Sequence, residues 1–470
     1  MGAKQTAEVR AWLDDPGPPD APNAPVEHPV PNLAAKPFPS VISGRAPAAG
    51  DYAPGTPKFR YWTAADALRR AGDLWGHVLG NNVKWHSTVG AKLKVNLAAG
   101  EDLNAYYDRN GLNFFHASVA GRDFYSGESP DVVCHEFGHA ILDAVRPQLW
   151  DVMSAEPPAF HEAFADCSAM LTALQQADLC ADVIKSTSGK LDRSSRVSRL
   201  AEQLGWAIRQ GHPDSVDADC LRNAANSFFY RDPVDLPPRA PASQLSSEPH
   251  SFSRVFSGAF LNVLAGMFAV QPKRDVDGLI QVSQEAAQLL IDAVKQAPVV
   301  VAYYSQVAAH MLTAEQTRFG GRYQEALRSA FVRHGVLALS HATSPARAAA
   351  AAAAPAPTGG GLPRVGISGS PFGFDEEILV HVAAEPKRYA VAGAAADMGA
   401  APETSYDHAA AAYVEDIFRR GHVVIHKDVE TDRAAAGPPS RATHELRRER
   451  GALVLVRRLF VCGHGSGHRE

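Results

Sequence analysis

The sequence predicts an α+β protein built in successive parts. Short runs with two-residue alternation fall between about residues 92 and 115, and runs with apolar residues three and four apart fill about 130–336. A second mixture of strand and helix patterns follows an Ala/Pro/Gly-rich stretch. At 470 residues the chain can form two or three domains, and its 46% hydrophobic and 21% charged content is ordinary for a globular protein.

A formal net charge of -5 gives no overall attraction to nucleic acid or to an anionic membrane, so neither is expected as a partner. No apolar run approaches the roughly 18 residues that a membrane span needs, and the N-terminus lacks the apolar core of a secretory signal. The five cysteines are odd in number and irregularly spaced, which argues against a disulfide framework. A cytoplasmic location is expected, with export by a route lacking a recognisable signal left open.

In chain order, residues 1–58 are dense in Pro, Ala, Asp and Gly without sustained periodicity, which predicts a mostly disordered arm, with local packing as the alternative. A helical pattern covers 63–79. Strand patterns follow at Lys92-Leu93-Lys94-Val95-Asn96 and Leu112-Asn113-Phe114-Phe115, with Leu103-Asn104-Ala105-Tyr106-Tyr107 between them. A helix is expected over residues 130–145: Ser129 suits the N-cap, Pro130 the first helical position and Asp131 the positive helix end, while Pro147 stops the run. At about 100° per residue, Val133, Phe137, Ala140, Ile141 and Ala144 share one face, and His135 and His139 share the opposite one.

That second face carries the strongest chemical signal. His135-Glu136-Phe137-Gly138-His139 is an H-E-x-x-H pattern, in which two histidines one turn apart hold zinc beside a glutamate. Zinc catalysis needs a third protein ligand and an open position for water. Glu162 follows His139 by 23 residues on a second expected helix, His161-Glu162-Ala163-Phe164-Ala165-Asp166. Asp166, one turn further on, could accept the free ring N–H of a ligating histidine and fix its tautomer.

The segments Val133-Cys134-His135-Glu136-Phe137-Gly138-His139-Ala140 and Glu162-Ala163-Phe164-Ala165-Asp166 resemble the thermolysin-like gluzincin metallopeptidases. The resemblance implies such a peptidase domain over 59–340, with a reduced β-containing N-terminal lobe and a helical C-terminal lobe. Beyond it, 341–363 reads as a linker and 364–470 as a small α/β domain of unknown role. The implied reaction is hydrolysis of peptide or protein substrates by a zinc-activated water, with His135, His139 and Glu162 as ligands and Glu136 as general base.

Further site residues come from the same resemblance. Leu103-Asn104-Ala105-Tyr106-Tyr107 is similar to the family's substrate-binding edge strand, which makes Asn104 and Ala105 substrate-backbone contacts. Arg222, with Tyr230 eight residues later and Asp232-Pro233 after it, takes the place of an arginine that binds a substrate carbonyl; a structural ion pair is the other reading. His250, with Ser253 three residues on, takes the place of the histidine that hydrogen-bonds the oxyanion, and Arg254 is a possible substitute.

Three positions depart from the family pattern. Met153 stands where a tyrosine is usual, and Leu245 where His250 would have an acidic partner, leaving Glu248 as a stand-in. The calcium-binding carboxylates are unmatched apart from Asp131, so one zinc ion without calcium is expected. The alternative is a catalytically inactive zinc-containing scaffold acting through the C-terminal domain. Cys134 and His161 are the neighbours that would close such a site, but their helix directions point away. An aminopeptidase also stays open. In the last domain, a hairpin is expected from 444–448 and 453–461 with a turn at Arg450-Gly451, and Cys462-Gly463-His464 with His468 reads as a frayed polar tail rather than a metal site.

Overall fold

Two five-stranded sheets, three two-stranded ones and a group of packed helices make up the computed structural model, which describes residues 7–21, 23–338, 362–383, 405–429 and 442–463. The architecture is mixed α+β. Almost all of the linker expected over 341–363 lies outside the described residues, as do His464 and His468.

The N-terminal arm corrects the expectation of disorder. It forms β1 (Glu8–Ala11), β2 (Val26–Pro29) and β3 (Ser40–Ile42). Val9, Ala11, Phe38 and Ile42 are buried, and Phe38 packs on Trp85 with ring centroids 4.9 Å apart. These anchors are too widely spaced to show as periodicity, yet each buries apolar surface. Asp15 adds a polar anchor: it accepts from Ser129 at 2.5 Å, at the N-terminus of the helix that carries His135 and His139.

After the arm come α1 (Pro57–Leu79), β4 (Leu93–Asn96), β5 (Ala105–Tyr107) and β6 (Gly111–Phe114). A small hairpin of β7 (His116–Val119) and β8 (Arg122–Tyr125) leads into α2 (Pro130–Val145). Then follow α3 (Glu156–Ala173), α4 (Ala177–Thr187), β9 (Arg199–Leu200), α5 (Glu202–Arg209) and β10 (Arg222–Asn223). The helical part closes with α6 (Pro249–Ala269), α7 (Val276–Gln296), α8 (Tyr303–Phe319) and α9 (Gln324–Arg333).

Helix α3 lies at the centre and is buried along its whole length. Gly138 of α2 allows the approach of α3, because a Cβ there would lie 2.7 Å from Ser168 Cβ and 2.9 Å from Ala165 Cα. Helix α6 is long and apolar enough to cross a membrane, contrary to the reading that no run is, but 78% of its apolar window is buried. That burial is of a core helix packed on α3 and α9.

The C-terminal part contains β11 (Arg364–Ser368), β12 (Glu377–His381), α10 (Tyr406–Arg419), β13 (Val423–Ile425), β14 (His444–Glu449) and β15 (Ala452–Arg457), with β16 (Phe460–Val461) last. The sheet order is β11-β12-β15-β14-β13, over a core that also takes in Met153. The hairpin strand ends at Arg457 rather than running to 461. Arg457 donates to the Trp150 carbonyl at 3.1 Å and to the Tyr413 hydroxyl at 2.9 Å, so the chain turns out of this sheet. It then joins the first one, whose order is β16-β5-β6-β4-β3.

Candidate metal centre

Helix α2 begins as its sequence requires, with Ser129 accepting from the Val132 amide at 3.3 Å and Pro130 in the first turn. Val133, Phe137, Ala140 and Ile141 are fully buried and fix its rotation. His135 and His139 consequently face α3, with ring centroids 4.8 Å apart.

There they meet Glu162. His135 Nε2 lies 3.3 Å from Glu162 Oε2, and His139 Nε2 lies 3.6 Å from Glu162 Oε1. A tetrahedral ion bound at about 2.1 Å separates its donors by about 3.4 Å, so these spacings suit one. His135 Nε2, His139 Nε2, Glu162 Oε2 and both Glu136 carboxylate oxygens are buried without a hydrogen bond among the described residues. Buried polar atoms are normally satisfied. A cation held by His135, His139 and Glu162 satisfies three of them, and all three residues lie close enough together to hold one.

The surroundings orient the ligands. Asp166 Oδ1 lies 3.1 Å from His135 Nδ1 and also accepts from Arg222 at 2.8 Å. Burial works to raise the Asp166 pKa, but Arg222 and His135 overcome it and hold the carboxyl at about 2. The Arg222 guanidinium pairs with Asp166 through Nε and one Nη, which is the ion-pair arrangement, and it also lines the adjoining cavity. Burial pushes Glu136 up to about 8.

His161 is the partner that sequence reasoning missed. Its Nδ1 lies 2.8 Å from His139 Nδ1, so its side chain points toward the ligands and not away from them. Its position directly before Glu162 was the available signal. Cys134, the other neighbour, faces away, with Sγ 3.7 Å from the Ala67 carbonyl.

His250, at the start of α6, borders the same site with Nε2 at 3.4 Å from Glu162 Oε2. Its Nδ1 lies 2.6 Å from Glu248, which also caps α6 by accepting from Ser251 at 2.9 Å. Burial opposes the charged imidazole, but Glu162 and Glu248 raise its pKa to about 9. Arg254 instead holds the preceding loop, donating to the Gln244 carbonyl at 2.7 Å and to the Ala242 carbonyl. Met153, in place of the family tyrosine, is buried in the C-terminal core and offers no donor.

Ala105 opens β5 and Asn104 directly precedes it, and the edge of β5 is paired with the chain's own β16. Of the expected frayed tail, Cys462 and Gly463 are described; they follow β16 and are held by amide hydrogen bonds to the Ala105 carbonyl at 2.8 Å and to Asn104 Oδ1 at 3.0 Å. Phe460 stacks on His161 with centroids 4.0 Å apart and on His139 at 4.9 Å, and burial of this ring holds the segment in place. A cavity of about 170 Å³ adjoins it, lined by Arg222, His250 and Arg254 on one side and by Tyr413, Ile417 and Arg420 on the other.

No family model and no curated protein matches the chain. The chemistry of the site rests on its own residues.

Proposed function

We propose that this chain is a zinc-dependent endopeptidase of the thermolysin-like gluzincin type. The observation that carries the reading is the convergence of His135, His139 and Glu162 as buried, otherwise unsatisfied ligand atoms with the unpartnered carboxylate of Glu136 beside them. Two imidazoles and a carboxylate suit zinc and leave a position open in a catalytic site. When bound, zinc supplies Lewis-acid polarisation of a carbonyl and lowers the pKa of water.

The chain's own residues do the rest. Glu136 takes the proton of the attacking water on a carboxylate oxygen and passes it to the leaving amine; its carboxyl, raised by burial, would be lowered by a cation held at the site. His250, kept protonated by Glu248, donates from Nε2 to the oxygen on which charge develops. Asp166, fixed by Arg222, orients His135, and His161 orients His139. An extended peptide would add at the β5 edge in place of β16, which pairs there in the folded chain.

The test compares purified protein with Glu136→Gln on a quenched-fluorescence peptide library, with zinc content measured in both. Cleavage that is lost in the variant while about one zinc per chain is retained supports the reading. Zinc-loaded wild type and Cys462→Ala that both fail to cleave would overturn it.

A second reading has its own observation. Cys462 lies close to the site, and four protein ligands are the mark of a structural zinc. On that reading the chain is a catalytically inactive scaffold.

A further inference from the structure

Strand β16 lies along the groove in which, on the endopeptidase reading, an extended substrate binds. Phe460 and Val461 pair antiparallel with Tyr107 and Tyr106. The Cys462 amide donates to the Ala105 carbonyl at 2.8 Å, and the Gly463 amide donates to Asn104 Oδ1 at 3.0 Å. The close approach uses a glycine at 463, because a Cβ there would collide with the Leu103 carbonyl. His250 Nε2 donates to the Val461 carbonyl, so this oxygen takes the donor assigned above to the substrate's oxyanion.

These contacts aim Cys462 at the metal site. Its Sγ and ligand atoms of His135 and Glu136 lie within 4.8 Å of one another, and all three residues are buried. His135 is shared with the group of His139 and Glu162, to which Cys462 does not itself belong, so its Sγ would have to draw toward those two as a cation binds. Independently of the cysteine, the site holds buried, unpartnered atoms on His135, His139, Glu136 and Glu162.

Resting on the endopeptidase reading, we propose that Cys462 is a fourth protein ligand of the zinc, delivered by residues 460–463 as an internal strand that fills the substrate groove, so that the chain as folded is latent. A thiolate is a soft ligand that zinc accepts readily, and the thiol releases its proton to solvent as the bond to the cation forms. Four protein ligands leave no position for water. The pairing of β16 also removes the β5 edge that a peptide would use.

The experiment loads the full chain with Co2+ in place of zinc and records the absorption spectra of wild type, Cys462→Ser and Cys462→Ala. Wild type should show a thiolate-to-cobalt charge-transfer band, and both variants should lose it while keeping about one cobalt per chain. A band that is absent from cobalt-loaded wild type, or that persists in Cys462→Ala, overturns the assignment and leaves the three-residue metal centre standing. Failure of all three proteins to retain metal instead removes the endopeptidase reading itself. Cys462→Ala should also cleave the peptide library roughly tenfold faster than wild type, as expected when a blocked state holds about nine-tenths of the molecules; an unchanged rate overturns latency. A readout free of variants is alkylation of wild type by iodoacetamide with mass mapping of Cys462. Metal should protect this thiol, and equal labelling with and without metal would count against the proposal.

Discussion

His139 and His161 meet through their Nδ1 atoms at 2.8 Å, both rings fully buried. One nitrogen of such a pair must donate and the other accept. If His139 gives Nε2 to a cation, its Nδ1 carries the hydrogen and His161 accepts it. Burial, and then the neighbouring His139, hold the His161 pKa well below 6.5, so His161 stays neutral and able to accept. His161→Phe keeps a ring against Phe460 but removes the acceptor. Its zinc affinity, measured by competition with a chelator, should fall by about ten- to a hundredfold. Affinity equal to wild type would show that His139 is oriented by packing alone.

Asp166 and Arg222 give a separate test. Both are buried, and Arg222 contacts the two carboxylate oxygens of Asp166 at 2.8 and 3.3 Å. Arg222→Met strips the guanidinium from a buried carboxylate that keeps only His135 and the Ser257 hydroxyl as partners, which costs up to about 3–5 kcal/mol. Urea unfolding should show a loss of that size, with most of it recovered when Asp166→Asn is added. A loss under about 0.5 kcal/mol, the usual size for a neutral substitution, would mean that the arginine is free for substrate.

The metal ligands were legible because helix periodicity places His135 and His139 on one face, and one turn separates Glu162 from Asp166. Arg222 was legible as a site residue but not in its partner, since only the tertiary fold brings β10 to α3. The arm was misread because Val9, Phe38 and Ile42 are isolated anchors whose worth depends on the surfaces they meet. The same holds for Phe460: a two-residue strand has no period to detect, and its pairing with Tyr107 spans most of the chain.

Gly138 sits between His135 and His139 for a packing reason. A Cβ would press on Ser168 Cβ at 2.7 Å and on Ala165 Cα at 2.9 Å, and neither can swing aside. Gly138→Ala should therefore lower stability by about 1–3 kcal/mol, as overpacking does, although alanine favours helices. Because α3 carries Glu162, the displacement should also weaken zinc binding. Stability at or above the wild-type value in urea would show that the two helices separate without strain.

His310 predicts how the protein responds to acid. It is 1% exposed on α8, and neither ring nitrogen has a hydrogen-bond partner among the described residues. Burial, and then the charge of Arg146, lower its pKa to about 4. The folded state thus binds this proton less readily than the unfolded chain, whose histidine titrates near 6.5. The contribution is complete above about pH 6.5 and is lost as the pH falls toward 4, in total on the order of 3 kcal/mol. His310→Leu removes both the titration and the unsatisfied nitrogens. Urea unfolding at pH 7.5 and pH 4.5 should show a smaller acid loss in the variant by about that amount, with stability at pH 7.5 no lower than wild type. Equal acid losses in the two proteins would place a polar partner or solvent next to the His310 ring.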